Sequence, residues 1–143
     1  MANDHKDYSG TPLWRKLGIA PESRVYMTGT LPGLASTLTA ISPLPPGVTF
    51  LTRPGRDLDV IVIATTREAE LRRRFARLMS SLAPAGRLWV AWPKKASAIG
   101  TDLTFEVVQA IGLGAGLVDN KSASITTDHQ GLQFVVRRAD RPR

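Results

Sequence analysis

Two short, almost wholly apolar segments that flank one amphipathic helix constrain the fold of this chain most strongly. Residues 58–64 read LDVIVIA, and residues 87–92 read RLWVAW. Continuous apolar runs of this length are typical of parallel strands that are covered on both faces. Between them, residues 67–82 repeat apolar side chains at helical spacing, which predicts a helix with one buried face. Such a strand–helix–strand unit predicts a right-handed crossover and a sheet with helices packed against it.

The segments on either side continue this alternation. Strands are predicted at residues 24–28, 48–51, 58–64, 87–92, 117–126 and 132–138, and helices at residues 12–17, 34–41, 67–82 and 102–111. Thr11 is the expected cap of the first helix, and Thr101 or Asp102 that of the last. The last two strands are joined too closely for a crossover helix, which predicts an antiparallel hairpin. The predicted fold class is therefore α/β: a three-layer, Rossmann-like arrangement whose sheet is mostly parallel and ends in an antiparallel hairpin.

Composition predicts one soluble domain. The chain is 43% hydrophobic and 22% charged, values typical of a globular protein. We expect disorder at residues 1–7, a single α/β domain at residues 8–138 and a basic tail at residues 139–143. No signal-like or membrane-spanning apolar run is present, so a cytoplasmic location is expected. There is no Cys and there are only two His, which excludes thiolate chemistry and argues against a metal site.

A formal net charge of +7 raises the question of a polyanionic partner. The arginines fall in two separate groups, at positions 72, 73, 74 and 77 and at positions 137, 138, 141 and 143. In the first group, Glu68 and Glu70 stand four residues before Arg72 and Arg74, which predicts ion pairs along a solvated helix face. Weak nucleic-acid binding through the arginines therefore stays an alternative and not the leading hypothesis.

The central segments resemble a known family. DVIVI at residues 59–63, the helix, and LAPAGRLWV at residues 82–90 resemble the second half of class I S-adenosylmethionine-dependent methyltransferases. The resemblance implies the strand order 2-1-3-4-6-5, an antiparallel sixth strand, and the loss of one strand–helix unit. The segments YSGTPLWRKLGI, WVAWPKKAS, TDLT and GLVDNK also resemble a small bacterial family with a domain of unknown function (a DUF family), over residues 8–138. That family brings no activity with it.

The chain departs from methyltransferases where they hold their cofactor. Class I methyltransferases carry an acidic residue in strand 1, followed by a GxGxG loop. In this chain the corresponding residues 25–33 read VYMTGTLPG, with no carboxylate and only two glycines. They also end strand 2 with an acid that accepts hydrogen bonds from ribose, whereas this chain has Leu51-Thr52-Arg53. A cation cannot accept those bonds. S-adenosylmethionine is therefore disfavoured as a cofactor, a methyltransferase with an atypical pocket is the alternative, and no catalytic residue is assigned.

The candidate site lies in the loop after the fourth strand. In open α/β sheets ligands bind beyond the carboxyl ends of the strands. The residues that this rule selects are Lys94, Lys95, Ser97, Thr101, Asp102, Gly29 and Gly33. Cations beside a helix N-terminus favour an anion such as phosphate or carboxylate, which predicts a binding module for an anionic small molecule or an acidic partner. In the competing interpretation, Asp102 caps the helix and pairs with Lys94 or Lys95, which leaves nothing for a ligand.

Other polar clusters have structural interpretations. Asp59 is expected to accept N–H bonds at the head of its strand, and GLGAG at residues 112–116 to supply positive φ at a helix end. Asp119 and Lys121 are expected to form an ion pair beside a bulge at Asn120. His129 is expected to lie exposed in the hairpin turn. The oligomeric state is left open.

Overall fold

The protein, described here from a computed structural model over residues 10–142, is built around one six-stranded sheet. The strands, in chain order, are Arg24–Thr28 (β1), Thr49–Phe50 (β2), Leu58–Ala64 (β3), Leu82–Pro93 (β4), Leu117–Ser124 (β5) and His129–Val136 (β6). The α-helices are Leu13–Lys16 (α1), Leu34–Leu38 (α2), Glu68–Leu78 (α3) and Phe105–Gly114 (α4). Short 3₁₀ turns occupy Met79–Ser81 and Arg138–Asp140. The segment predicted to be disordered lies outside the described residues.

The sheet has the order β2-β1-β3-β4-β6-β5, as the sequence implied. Strand β1 pairs in parallel with β2 and with β3, and β3 pairs in parallel with β4. Strand β6 then runs antiparallel between β4 and β5. The predicted parallel sheet with a C-terminal antiparallel hairpin is therefore confirmed, and the carboxyl ends of β1, β3 and β4 share one rim.

Strand β3 is buried from both sides. Ile61 and Ile63 pack in the cluster that includes Leu71 and Phe75 of α3. Val60 and Val62 pack in the cluster on the opposite face, which holds α1 and α2. Successive side chains of a strand point to opposite faces, so a strand covered by helices on both sides must be apolar at nearly every position. This is the physical basis of the continuous apolar run.

Helix α1 is fastened to the sheet by buried contacts. Leu13 and Leu17 are buried, and the Trp89 indole Nε1 of β4 donates a hydrogen bond to the Leu17 carbonyl oxygen at 3.0 Å. The Trp14 indole donates to the Ser42 carbonyl oxygen, which anchors the helix to the following connection. The expected cap is wrong, because the helix begins at Leu13 with Pro12 in the N-cap position.

Two boundaries on β4 and α3 differ from the prediction. Helix α3 ends at Leu78 and tightens into a 3₁₀ turn, and β4 begins at Leu82 instead of 87. Leu82 pairs with Leu58, and the register then shifts so that Arg87 pairs with Val60. Extra residues on β4 bulge out between these two pairs. The sequence APAG resembles a loop because Pro lacks an N–H, but a bulge tolerates it within a strand.

In the hairpin of β5 and β6, two predictions are wrong and one is confirmed. His129 is 6% exposed and begins β6, and its Nδ1 lies 2.9 Å from the Thr126 hydroxyl, so the predicted exposed turn position is wrong. The predicted bulge at Asn120 is confirmed by the register shift between Asp119 and Lys121. The ion pair expected between those two residues is absent from the described part of the chain.

The bulge explains why Asp119 and Lys121 do not meet. Asp119 accepts a hydrogen bond from Gln109 of α4 at 3.2 Å, whereas the Lys121 ammonium donates to the Lys16 carbonyl of α1 at 3.1 Å. Helices α4 and α1 cover opposite faces of the sheet. The glycine run 112–116 also differs from expectation: only Gly116 has a positive φ, and helical Gly112 packs against the Phe134 ring.

Adding a side chain at a glycine can cost stability in two ways, through left-handed backbone strain and through a steric clash, and three glycines of this chain differ in which of these applies. Gly29 has φ +93°, and a Cβ at this position would overlap the Ala64 carbonyl oxygen. Gly33 has φ +83°, but a Cβ there would meet no close neighbour. Gly100 has neither a positive φ nor a close neighbour. Gly29→Ala should lower the free energy of unfolding by about 3 kcal/mol and Gly33→Ala by about 1 kcal/mol, because only the first adds a clash to the left-handed strain. Gly100→Ala should lie within about 0.5 kcal/mol of wild type. Urea denaturation measures all three, and equal losses at 29 and 33 would contradict the packing at Gly29.

Candidate anion-binding cleft

An open cleft of about 1220 Å³ lies at the carboxyl end of β4. Its walls come from the end of β4, the following loop, the first turn of α4, and facing parts of β5 and β6, with Lys16 of α1 at the edge. The lining residues are Lys16, Trp92, Pro93, Lys94, Lys95, Ile99, Gly100, Thr101, Leu103, Thr104, Phe105, Glu106, Ser122, Ala123, Ser124, Gln130 and Gly131. The loop selected from the sequence therefore borders this cavity.

Lys94 and Lys95 both line this cleft. Lys94 is held in place, because its backbone N–H donates to the Asp128 carbonyl at 2.8 Å and its ammonium donates to the Ser124 hydroxyl at 2.8 Å. Lys95 is exposed. Within residues 10–142 neither lysine has a carboxylate within 4.0 Å, since the two ion pairs found there both belong to α3. The competing interpretation, in which Asp102 neutralises one of them, is therefore wrong.

Asp102 stabilises a different helix from the one expected. Its Oδ1 accepts a hydrogen bond from the Glu68 backbone N–H at 2.7 Å, which satisfies the first turn of α3. Helix α4 has Thr104 at its N-cap, whose hydroxyl accepts from the Val107 N–H at 3.2 Å. The prediction that Thr101 or Asp102 caps α4 is wrong, because α3 and α4 both begin on this rim and sequence order does not reveal which N–H the carboxylate meets.

The rest of the loop is braced by its own hydroxyls. Thr101 lines the cleft, donates to the Thr66 carbonyl at 2.6 Å and accepts from the Leu103 N–H at 3.0 Å. The Ser97 hydroxyl donates to the Lys94 carbonyl at 2.8 Å and lies outside the lining. Of the five predicted loop residues, Lys94, Lys95 and Thr101 thus face the cavity, while Ser97 and Asp102 support the loop.

Gly29 and Gly33 do not belong to this cleft. Gly29 lies against the Ala64 backbone, and Gly33 occupies the N-cap of the five-residue helix α2. The structure therefore does not bring them together with the lysines, and their role in ligand binding stays a prediction. Glycines after β1 reach the same rim as the β4 loop, but β3 stands between the two strands and separates them laterally.

Side chains of α3 bridge the ends of β1 and β3. The Arg74 guanidinium donates to the Thr28 hydroxyl at the end of β1 and pairs with Glu70 at 3.2 Å. The Thr65 hydroxyl, just after β3, donates to the other oxygen of Glu70 and accepts from the Arg67 N–H. Hydrogen bonding from Thr65 is the main cause that lowers the pKa of Glu70, with the nearby arginines adding to it against the opposing effect of burial.

The residues beside this network do not fit S-adenosylmethionine. Strand β2 ends at Phe50 and is followed by Leu51, Thr52 and Arg53, which offer no carboxylate for ribose hydroxyls.

Asp59, as predicted, has a structural role, because it accepts a hydrogen bond from the Arg24 backbone N–H at 2.8 Å at the opposite end of the strands. No group of three or more His, Asp or Glu within residues 10–142 is arranged to hold a metal.

Sequence reasoning missed Lys16 and the charge it adds. Lys16 lines the cleft, and its pKa is lowered by burial first and then by the charges of Lys121 and Lys94. The pKa of His129 is also lowered, by burial and further by Lys94, against an opposing effect of Asp128. Lys16 lies on the first helix, so only the docking of α1 onto the sheet brings it here. No spacing or motif signals that contact.

The arginines of α3 behave as the sequence predicted. Arg72 pairs with Glu68 at 2.8 Å and Arg74 pairs with Glu70, each one helical turn apart. Arg73 and Arg77 are exposed. Two of the four cations are therefore already paired, which supports the interpretation of this run as a solvated helix face.

In the part of the chain that the structure describes, none of the helices has the length and apolarity needed to cross a bilayer.

Comparison with known proteins supports the fold and no particular function. No family profile matches the sequence, and no curated protein matches it either. A SAM-dependent methyltransferase from Aquifex aeolicus superposes with a TM-score of 0.59 at 14% identity, over 85% of this chain and 86% of that one. Magnesium protoporphyrin IX methyltransferase from Synechocystis PCC 6803 with bound SAH gives 0.56 at 10% identity, over 87% and 78%.

Not every similar structure is named as a methyltransferase. A possible exported protein from Bordetella parapertussis gives a TM-score of 0.62 at 13% identity, over 87% of this chain and 65% of that one. At identities this low the likeness shows the fold alone. The chain has a methyltransferase-like Rossmann fold, and the strand order that the resemblance implied is that of the structure.

The pH dependence of stability tests the Glu70 network. Because the pKa of Glu70 is lowered in the folded state, the charged carboxylate favours folding. This contribution is complete above the ordinary glutamate pKa of 4.5 and is lost as the pH falls through the folded value. Wild type should therefore lose more stability than Glu70→Gln when acidified over this range, as measured by urea denaturation at several pH values. Thr65→Val should raise the pKa of Glu70 in NMR titration; parallel pH profiles and an unmoved pKa would contradict the network.

Proposed function

We propose that this protein is a binding module that holds a small anion in the cleft through Lys94 and Lys95, with Lys16 adding positive potential. The observation that carries the proposal is that Lys94 and Lys95 line the cavity with no carboxylate partner among the described residues. The half-buried Lys16 and Lys94 repel each other, since the charge of Lys94 contributes to the lowered pKa of Lys16 after burial and Lys121. A bound anion relieves that cost, and it gains charge-assisted hydrogen bonds as well.

The first turn of α4 adds to the attraction. Phe105 and Glu106 line the cleft at the start of this ten-residue helix, where backbone N–H groups carry partial positive charge. The Val107 N–H is already satisfied by Thr104, which leaves the earlier N–H groups for a ligand or for water. Glu106 is the one acid of the described lining, and it offers an acceptor to a ligand that also carries a donor.

The proposal assigns binding and no reaction. In the described lining, the Thr101 and Thr104 hydroxyls bond backbone groups, and the Ser124 hydroxyl accepts a hydrogen bond from the Lys94 ammonium, which the proposal uses as a cation that binds the anion. The small bacterial family that the sequence resembles contributes no activity. A cytoplasmic setting, where phosphorylated and carboxylated metabolites are abundant, is part of the same proposal.

Phosphate titration tests the proposal directly. Lys94→Ala/Lys95→Ala should weaken binding of inorganic phosphate about tenfold or more in calorimetry, because two of the charges that attract it are gone. Arg73→Ala/Arg77→Ala removes the same charge from the exposed face of α3 and serves as the matched control. Binding that is absent in wild type, or that falls equally in both variants, would overturn the proposal.

His129 provides an internal reporter of an occupied site. Lys94 contributes to the lowered pKa of this imidazole, so an anion that neutralises Lys94 should raise the pKa of His129 toward its ordinary value. NMR titration of the two histidine signals, assigned with His129→Gln, measures this shift with and without phosphate. Lys94→Ala alone should raise the pKa in the same direction and abolish the response to phosphate. A response retained in that variant would place the anion elsewhere.

A second candidate is an S-adenosylmethionine-dependent methyltransferase with an atypical pocket. The shared fold supports it, since similar structures include one with bound SAM and one with bound SAH. The rim chemistry argues against it, because β2 is followed by Arg53 and no carboxylate, and the polar groups of Arg74, Glu70 and Thr28 are bonded to one another. We therefore expect no thermal shift with millimolar S-adenosylmethionine or S-adenosylhomocysteine. A clear, saturable shift with either compound would favour this candidate over the binding module.

A further inference from the structure

The cleft also carries an exposed apolar surface. Ile99 is 39% exposed and Phe105 is 40% exposed, and both line the cavity. Large apolar side chains left open to water within a concave surface mark ligand sites more often than they do on a convex one. The other large exposed apolar residues of the described chain, which are Ile41, Phe50 and Leu113, lie outside this lining.

Charged and apolar groups of the cleft come from different elements. The Lys94 ammonium is fixed to Ser124 of β5, whereas Ile99 lies in the loop and Phe105 begins α4. Buried Trp92 and Leu103 continue the apolar surface into the lining. A ligand that satisfies the whole cavity therefore needs an acidic group and an apolar body that reaches the loop and the helix.

The size of the cavity supports the same conclusion. At about 1220 Å³ the cleft is larger than the roughly 300–1,000 Å³ typical of small-molecule sites, so it has room for much more than a bare anion. A bare inorganic anion would contact the lysines and leave Ile99 and Phe105 in water. An apolar body bound beside the anion would remove that surface from water, which is the main source of affinity for such ligands.

We propose that the ligand is a soluble amphipathic anion: one phosphate or carboxylate group joined to an aromatic or short acyl body. This inference rests on the proposed anion-binding function and names the class of its ligand. The acidic group binds Lys94 and Lys95, and the apolar body packs against Ile99 and Phe105. A free molecule fits the site better than a polyanion, because Phe105 is the one exposed aromatic side chain in the described lining and base stacking needs several.

A matched set of three compounds tests the ligand class by calorimetry. Inorganic phosphate carries the acidic group alone, octyl glucoside below its micelle concentration carries the apolar body alone, and octyl phosphate carries both. Octyl phosphate should bind about tenfold tighter than inorganic phosphate or more, because the chain removes apolar surface from water. Octyl glucoside should bind more weakly than octyl phosphate.

Two pairs of variants separate this inference from the proposed function. Ile99→Ser/Phe105→Ser should reduce the affinity for octyl phosphate about tenfold and leave the affinity for inorganic phosphate unchanged. Ile41→Ser/Leu113→Ser removes large apolar side chains that are at least as exposed but lie outside the cleft, and should change neither affinity. Lys94→Ala/Lys95→Ala should weaken both anions. Thermal unfolding of each variant verifies that the fold is retained.

The outcomes are distinguishable. If octyl phosphate and inorganic phosphate bind equally and both depend on Lys94 and Lys95, the amphipathic class is overturned while anion binding stands. If neither compound depends on the lysines, both proposals fail. Phosphatidylglycerol vesicles form a further arm: no co-sedimentation is expected, and vesicle binding that outcompetes octyl phosphate would assign the site to a lipid headgroup and overturn the soluble ligand.

Discussion

The burial of β3 on both faces is the constraint on which the rest of the molecule depends. Ile61 and Ile63 are covered by the α3 side, and Val60 and Val62 by the α1 and α2 side. A strand in this position pairs with parallel neighbours that are reached by helical crossovers, so β1, β3 and β4 all deliver their following loops to one rim. The location of the cleft is a consequence of that arrangement.

The two halves of this rim have opposite character. Above β1 and β3, Arg74 and Glu70 of α3 connect Thr28 to Thr65 through hydrogen bonds and an ion pair. Above β4, Asp102 ties the loop that borders the cleft to the start of α3. A fold shared with methyltransferases thus presents different chemistry at the cofactor region, which is why the fold by itself assigns no reaction.

Electrostatics and apolar packing meet in the open half. Lys94 influences both Lys16 and His129, which places positive potential at the β5 side of the cleft. Exposed Ile99 and Phe105 add an apolar surface that folding leaves uncovered. Each feature alone occurs on many protein surfaces, and their coincidence in one cavity is the basis of the ligand class that we propose.

The sequence alone determined the α/β class and the strand limits of β1 and β3, because periodicity is a local property. The strand order was implied by the family resemblance, and the strand-end rule selected the loop with Lys94 and Lys95 that borders the cleft. Tertiary structure decided the rest. Asp102 bonds α3 instead of capping α4, and Lys16 joins the cleft from the first helix. His129 is buried by strand pairing. These contacts join residues that are far apart in the chain. Several partners are available to each polar side chain, and only the packing of the helices on the sheet decides which of them comes within hydrogen-bonding distance.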